Sequence, residues 1–510
     1  MDCRDERVSM TGMNRRRALG ATTALALAGP LGGRAMAQAG NKKDSLVLGM
    51  TLEPPGLDPT SSAAAAVAEV VHYNVFETLT KIHADGTVGP LLAERWEVSP
   101  DLKTLTFTLR RGVRFHNGEP CTAATVKFAF ERAAADKSTN KDKRTFAGMQ
   151  SISAQGDGTL VIVNREPDPD LLFRLAEATA IIVEPKSADS NASKPVGTGP
   201  YRLESWIKGS SLALARWDGH RDAANVRIKR AQFRFISDPA AQIAALLAGD
   251  VDAFPRVTPR GVGQFKANPA FQVLTGGSRA KTILAINNKK KPLDDVRVRR
   301  AIAAAIDRRA VIEGAGDGYG VPIGSHYTPG TPGYVDTTAI NPYDPARAKA
   351  LLAEAGIKAP LELSLKLPPT PYARQGGEVI AAQLAKVGIV ARQENVEWAQ
   401  WLSGVYGNHN YDLTLISHVE PLDLGNYAKP GYYWGYESAA FNTLFAKIRN
   451  TPREAERNQL LAEAQKMLAT DAVNAFLYQP LWVTVANKRL QGLWKDMPIF
   501  VNDLAALSWT

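Results

Sequence analysis

The chain is 510 residues long, 45% apolar and 22% charged, with a formal net charge of +10. That composition excludes an intrinsically disordered chain and supplies material for more than one core of about 100 to 200 residues. The positive surplus is spread out: its densest cluster, Lys289-Lys290-Lys291, is a short solvated loop and not a nucleic-acid face.

In chain order, the first signal is Arg15-Arg16-Arg17 ahead of the alanine-rich stretch 18–31 and the small residues Ala35-Met36-Ala37. This is the layout of a signal peptide, expected over 1–37 and removed on export. Arg15 and Arg16 resemble a twin-arginine (Tat) pair, with Ala18 in place of the usual Phe. Glycine and proline interrupt the apolar stretch, which is too short to span about 30 Å of bilayer. Of the two cysteines, Cys3 falls in this leader, so Cys121 is expected to be a small buried hydrophobe without a disulfide partner. No cysteine sits at the cleavage region to carry a lipid.

Strand and helix signals then alternate through the chain, which predicts an α/β architecture. Leu105, Phe107 and Leu109 alternate with threonines as in a half-buried strand, and 161–163 is a second. Val298, Ile302, Ala305 and Ile306 share one helical face, a pattern that ends at Gly314, Gly316 and Gly318. Asp344-Pro345 opens a helix that closes at Gly356, and a further helix over 378–387 ends at Gly388. Apolar strands over 361–367 and 389–391 follow these, then a helix over about 453–469 and an apolar run over 475–486. No Gly/Ser linker separates two halves, so a discontinuous lobe built from both chain ends is expected.

Catalytic motifs are missing from the sequence. It contains no G-x-S-x-G, H-E-x-x-H or Walker pattern, and its seven histidines lack metal-ligand spacing. Gly314 to Gly320 misses the dinucleotide fingerprint because Tyr319 stands at the third glycine and a helix precedes the run where a strand is needed. The sequence therefore predicts no enzyme, no cofactor and no metal.

Six segments appear in order: Glu53-Pro54-Pro55-Gly56-Leu57-Asp58-Pro59; 91–96 leading to Arg114-Phe115-His116-Asn117-Gly118; Gly197-Thr198-Gly199-Pro200-Tyr201; 246–253; 287–308; and 343–357. Together they resemble the family-5 extracellular solute-binding proteins of ABC importers, a group that includes dipeptide-, oligopeptide- and nickel-binding proteins. The resemblance implies a two-lobed periplasmic-binding-protein fold with a hinge and an extra subdomain in the first lobe. Lobe 1 is expected over 41–280, an inserted lobe 2 over 281–480, and a return to lobe 1 over 481–510, with crossovers near 281–287 and 478–486. It also implies a monomeric periplasmic receptor that closes on a small peptide and delivers it to an inner-membrane permease. The family also hosts opine, amino-sugar, metal-chelate and heme ligands. An exported hydrolase using Glu420 and Asp423 is the alternative from another class.

A peptide needs an acid for its ammonium, a cation or N–H groups for its carboxylate, and aromatic walls. The stretch 398–436 supplies Trp398, Trp401, His418, Glu420, Asp423, Tyr432 and Trp434. By the resemblance, Asp423 matches an acid that holds the peptide ammonium, with Leu424 where those relatives carry proline; Glu420 is the alternative acid. Thr370 stands where the dipeptide binders carry the arginine for the carboxylate, so nearby Arg374 is the substitute. Glu53 is included from a first-lobe loop that lies against ligand in the family.

Overall fold

The structure, a computed structural model, describes residues 44–510. The expected signal peptide at 1–37 lies outside the described residues.

A twelve-stranded mixed sheet organises the chain, and its central member is the 14-residue strand Asn474–Asn487. Residues 474–478 pair antiparallel with Lys281–Ile286, whereas 481–487 pair with Phe271–Gly277. On one side the sheet continues through Leu413–His418 and Leu361–Leu367 to Ile389–Asn395. On the other it runs through Ala253–Phe254, Ser45–Met50, Arg230–Phe235 and Ser211–Arg216 to Tyr201–Ile207. One buried strand therefore satisfies its backbone groups in both halves. The link between halves is tied by side chains too: Gln479 Nε2 donates to the Ser278 carbonyl at 2.5 Å, and Ser278 Oγ to the Pro480 carbonyl at 3.0 Å.

A separate antiparallel sheet in the order Ala93–Val98, Thr104–Leu109, Thr159–Asn164, Met149–Gln155 is added to the first half. Leu105 and Phe107 face Ile162 and Leu160, and the alternate threonines are half-buried, as the period-2 pattern requires. Helix Ala123–Ala134 covers this sheet with Val126, Ala129, Phe130 and Ala133. Cys121 is half-buried beside the same core, and burial pushes its thiol up to about 12.

Two of the ordered sequence segments meet here. His116 Nε2 donates to the Gly199 carbonyl at 2.9 Å while Nδ1 accepts from the Gly197 N–H at 3.2 Å, which fixes the neutral tautomer. Desolvation lowers this imidazole to about 4, in keeping with that tautomer. Gly197 and Gly199 are obligatory: a Cβ on either would lie 2.0 Å from the Val75 carbonyl or 2.3 Å from the Asn74 carbonyl.

Several elements differ from the sequence expectation in extent. The helical pattern from Val298 to the glycines at 314–318 is split into two helices, Val296–Ala304 and Arg308–Gly316, with Ala305 and Ile306 in the link between them. The break arises because the Asp307 carboxylate accepts from the Arg309 and Ala310 N–H groups and starts a new helix. The helix expected over 378–387 begins earlier, as Pro371–Ala385, with proline at its first turn. Asp344 caps Pro345–Glu354 through the Arg347 N–H at 2.9 Å, and Gly356 and Gly388 both take positive φ past helix ends.

A buried ion pair braces the first half. Glu77 receives Nη2 and Nη1 of Arg221 at 2.6 and 2.8 Å, with His220 Nε2 at 3.7 Å. Burial alone would push this carboxyl up, but His220 and Arg221 hold it down at about 2. Its unfolded counterpart titrates near 4.5, so the stabilisation is complete above that pH and is lost as pH falls toward 2. Glu77→Gln is expected to lower the unfolding free energy at pH 7 by about 3 kcal/mol. Denaturant titrations from pH 7 to 3 should also show a shallower acid loss in the variant than in the parent.

Candidate ligand-binding cleft

Buried among the cores is a charged cluster that the chain assembles from distant strands. Lys281 begins one of the strands paired with Asn474–Asn487, and Asp423 follows the strand Leu413–His418. Lys281 Nζ lies 2.6 Å from Asp423 Oδ1 and also donates to the Glu420 carbonyl at 2.6 Å. His326 Nε2 is 2.9 Å from Asp423 Oδ2, and Tyr427 Oη is 3.0 Å from His326 Nδ1. Asn474 Nδ2 donates to that Tyr427 oxygen at 2.9 Å. The amide can only donate, so the tyrosine hydrogen points to Nδ1 and the imidazole carries its proton on Nε2, toward the carboxylate.

Both Asp423 oxygens are thus occupied. Desolvation opposes its charge, but His326 and Lys281 outweigh that and hold the carboxyl far below the usual carboxylate range. His418 stacks on Tyr433, with Nε2 2.9 Å from the tyrosine hydroxyl, and burial lowers it to about 3. His326, His418 and Asp423 each offer an atom within 4.8 Å of the others, a donor set that could hold a cation. The Lys281 ammonium already neutralises that carboxylate, and the Nε2 proton points into the space an ion would fill.

The cluster fixes the loop that follows His418, and this loop faces a cavity of about 260 Å³. Val419, Glu420 and Pro421 form one wall. The opposite wall comes from the other half of the molecule: Ala64, Ala65, Ala68, His72, Lys141, Glu177, Ile499 and Phe500, with Trp482. Trp482 and Phe500 pack at 5.1 Å between ring centroids and supply an aromatic surface. Burial and the Asp142 charge push the half-buried Glu177 up to about 7. Arg279, in the segment that joins the two halves, lines the same cavity. A second cavity of about 250 Å³ lies between Asp168, Asp170 and Arg174 on one side and Leu424, Phe445 and Arg457 on the other.

Of the residues that the sequence proposes for a ligand, Glu420 lines the cleft, with 61% of its side chain exposed. Asp423 and His418 stand behind the loop, in the buried cluster. Trp401, Tyr432 and Trp434 belong to the aromatic core; Trp401 Nε1 donates to Thr414 Oγ1 at 3.0 Å, and Trp434 stacks on Tyr427 at 4.3 Å. Trp398 is exposed and packs edge-on against Trp401. Arg374 is exposed on its helix and pairs with Glu397 at 3.6 Å. Glu53 accepts from Trp206 Nε1 and the Gly209 N–H, each at 2.8 Å, a brace within the first half. Arg279, His72, Glu177, Trp482 and Phe500 are the cleft residues that sequence inspection passed over. For the last two, the aromatic residues near the C-terminus were the available signal.

Residues 87–439 match the bacterial extracellular solute-binding proteins, family 5, middle. The dipeptide-binding protein of Escherichia coli K12 is 28% identical over 487 residues, covering 86% of this chain and 90% of that one. A solved structure of the PBP AgaA in complex with agropinic acid, from A. tumefaciens R10, is 26% identical. It superposes with a TM-score of 0.76 over 91% of this chain and 99% of that one. HbpA2 from Haemophilus parasuis, at 22% identity, superposes at 0.81 over 92% of this chain and all of that one. The fold is accordingly the two-lobed periplasmic-binding-protein architecture.

Lys281→Met strands the buried Asp423 charge and is expected to cost about 3 to 5 kcal/mol of stability. Lys281→Met combined with Asp423→Leu removes both charges and should regain most of that loss in urea unfolding. A single-variant cost below about 1 kcal/mol contradicts the buried pair as described.

Proposed function

The chain belongs to the bacterial extracellular solute-binding proteins of family 5, and from that membership we propose that it is the ligand-capturing subunit of an ABC importer. It works in the periplasm, delivers a di- or oligopeptide-sized solute to an inner-membrane permease, and performs no covalent chemistry. The observation that carries this proposal is the cavity whose walls come from both halves of the molecule, the loop 419–421 on the one and helix, loop and C-terminal residues of the first half on the other. Such a cavity opens and closes when the halves rotate about the connections between them.

We place the hinge at 277–282 and 478–481, where the pairing of Asn474–Asn487 passes from one neighbour to the other. Lobe 1 then comprises 44–277 and 481–510, and lobe 2 comprises 282–478. The first connection of this hinge starts a few residues before the crossover expected at 281–287, because Lys281–Ile286 already pairs within the second lobe's sheet, and the second falls within the expected 478–486.

The similarity to a dipeptide-binding protein favours a peptide, as do the aromatic wall of Trp482 and Phe500 and the acid Glu420 at the cleft. The match to a structure holding agropinic acid supports a second reading, a non-peptide acid in the same cleft. Among the described residues, no helix is long and apolar enough to cross a membrane.

Mixed di- to pentapeptides at about 100 times Kd should stabilise the protein by about 2.7 kcal/mol. Small-angle scattering should show a smaller radius of gyration in their presence. Peptide recovered after denaturation should be chemically unchanged, whereas turnover would place the protein among the hydrolases. A peptide set that produces neither a thermal shift nor compaction counts against the peptide assignment.

A further inference from the structure

Among the charged groups at the cleft, Arg279 is distinguished by what it lacks. The residue is 7% exposed, yet among the described residues its guanidinium has no hydrogen bond and no ion pair. Its contacts are the Phe173 ring, 5.4 Å from the guanidinium carbon, and the backbone of Gly86. A Cβ at Gly86 would lie 2.3 Å from Nη2, so this glycine leaves room for the arginine. Tyr327, Asp170 and Glu177 act on the guanidinium through space, but no hydrogen bond or ion pair joins any of them to it.

Buried charges in proteins are ordinarily paired, and a mostly buried guanidinium without a protein partner is left to water alone. Arg279 lines this cavity, and also a cavity of about 460 Å³ bounded by Asp85, Gly276, Gly277, Lys495 and Asp496. The other buried charges nearby are already satisfied. Lys281 is bound to Asp423 and Glu420, and Asp423 is closed by Lys281 and His326. The acids at the cavity wall are Glu177, half-buried, and Glu420, largely open to solvent. The cleft therefore offers a buried cationic fork beside an aromatic wall and no free buried carboxylate.

We propose that Arg279 is the anion anchor of the cleft: the captured solute carries a carboxylate that seats on this guanidinium and an apolar body that lies on Trp482 and Phe500. This deepens the proposed function and rests on its assignment of the cleft. Because Lys281 already occupies Asp423, a free α-ammonium is not required for capture. N-acylated acids and acids with secondary amines fit as well as free peptides. Arg279 also lies between Ser278 and Ala280 in the segment that joins the halves, so an anion seated there contacts the connection itself.

The test is calorimetric titration with acid and amide pairs. One set is Ala-Phe, N-acetyl-Ala-Phe and Ala-Phe-amide; the other is arylalkyl carboxylic acids with their amides. Each is run on the parent protein, Arg279→Met and Arg279→Lys. The expected result is that acids bind about 30-fold or more tighter than their amides and that N-acetylation changes little. Arg279→Met should abolish the preference, and Arg279→Lys, which keeps the charge without the fork, should keep part of it. Arg279→Met should also unfold at the same or a higher temperature than the parent without ligand, because it removes an unpaired buried charge. A purely structural arginine would instead lower that temperature by several degrees.

Arg279-dependent binding confined to the non-peptide acids supports the anchor and overturns the peptide assignment. Amides bound as tightly as acids, or an acid preference that survives Arg279→Met, overturn the anchor while leaving the peptide assignment intact. The anchor is also overturned if no acid in either set binds in an Arg279-dependent way.

Discussion

The pairing of one strand with both halves of the molecule is the constraint on which the rest depends. Asn474–Asn487 is buried along most of its length, so its N–H and C=O groups must find partners within the sheet. It meets that demand by pairing with Lys281–Ile286 at one end and Phe271–Gly277 at the other. The two halves are thereby joined by hydrogen-bonded strands and not by a flexible tether. Between those two pairings lie only Gln479 and Pro480, which pair with Val321 and Gly320.

The charges near that connection divide into two kinds. Lys281 and Asp423 are buried and closed on each other, with His326, Tyr427 and Asn474 completing the hydrogen bonds. Such a network holds the 419–423 loop in one shape and leaves little capacity for a ligand. Arg279, two residues from Lys281 in the same segment, is buried and open. Successive side chains of an extended segment point to opposite faces, but residues two apart point to the same one, so alternation alone does not separate these two cations. Their surroundings do. Lys281 meets the carboxylate end of the 418–423 loop, whereas Arg279 meets Phe173 and Gly86 from the other half.

Local signals were readable where they depend on nearby residues. Asp344-Pro345 opens a helix because the aspartate accepts its neighbour's N–H and proline needs none. Leu105, Phe107 and Leu109 make a strand because a pleat buries every second residue. The helix around Val298 was only partly readable: its apolar face continues past a break made by the Asp307 cap, and periodicity does not register the cap. The aromatic stretch over 398–436 illustrates the opposite case. Its composition suits a cleft wall, but packing against Phe441, Leu460 and Phe476 makes most of it the core of the second half.

The sequence by itself determined the α/β class and the resemblance to extracellular solute-binding proteins, since these rest on periodicity, caps and ordered segments that are local in the chain. It also pointed to the loop at 418–423. Only the tertiary structure decided which charges in and near that loop are free. Lys281 meets Asp423 across 142 residues of sequence, and no local pattern records the meeting. The same distance effect hides Arg279: an isolated arginine before a strand looks like any exposed cation until Phe173 and Gly86, distant in sequence, pack against it and no residue pairs with it.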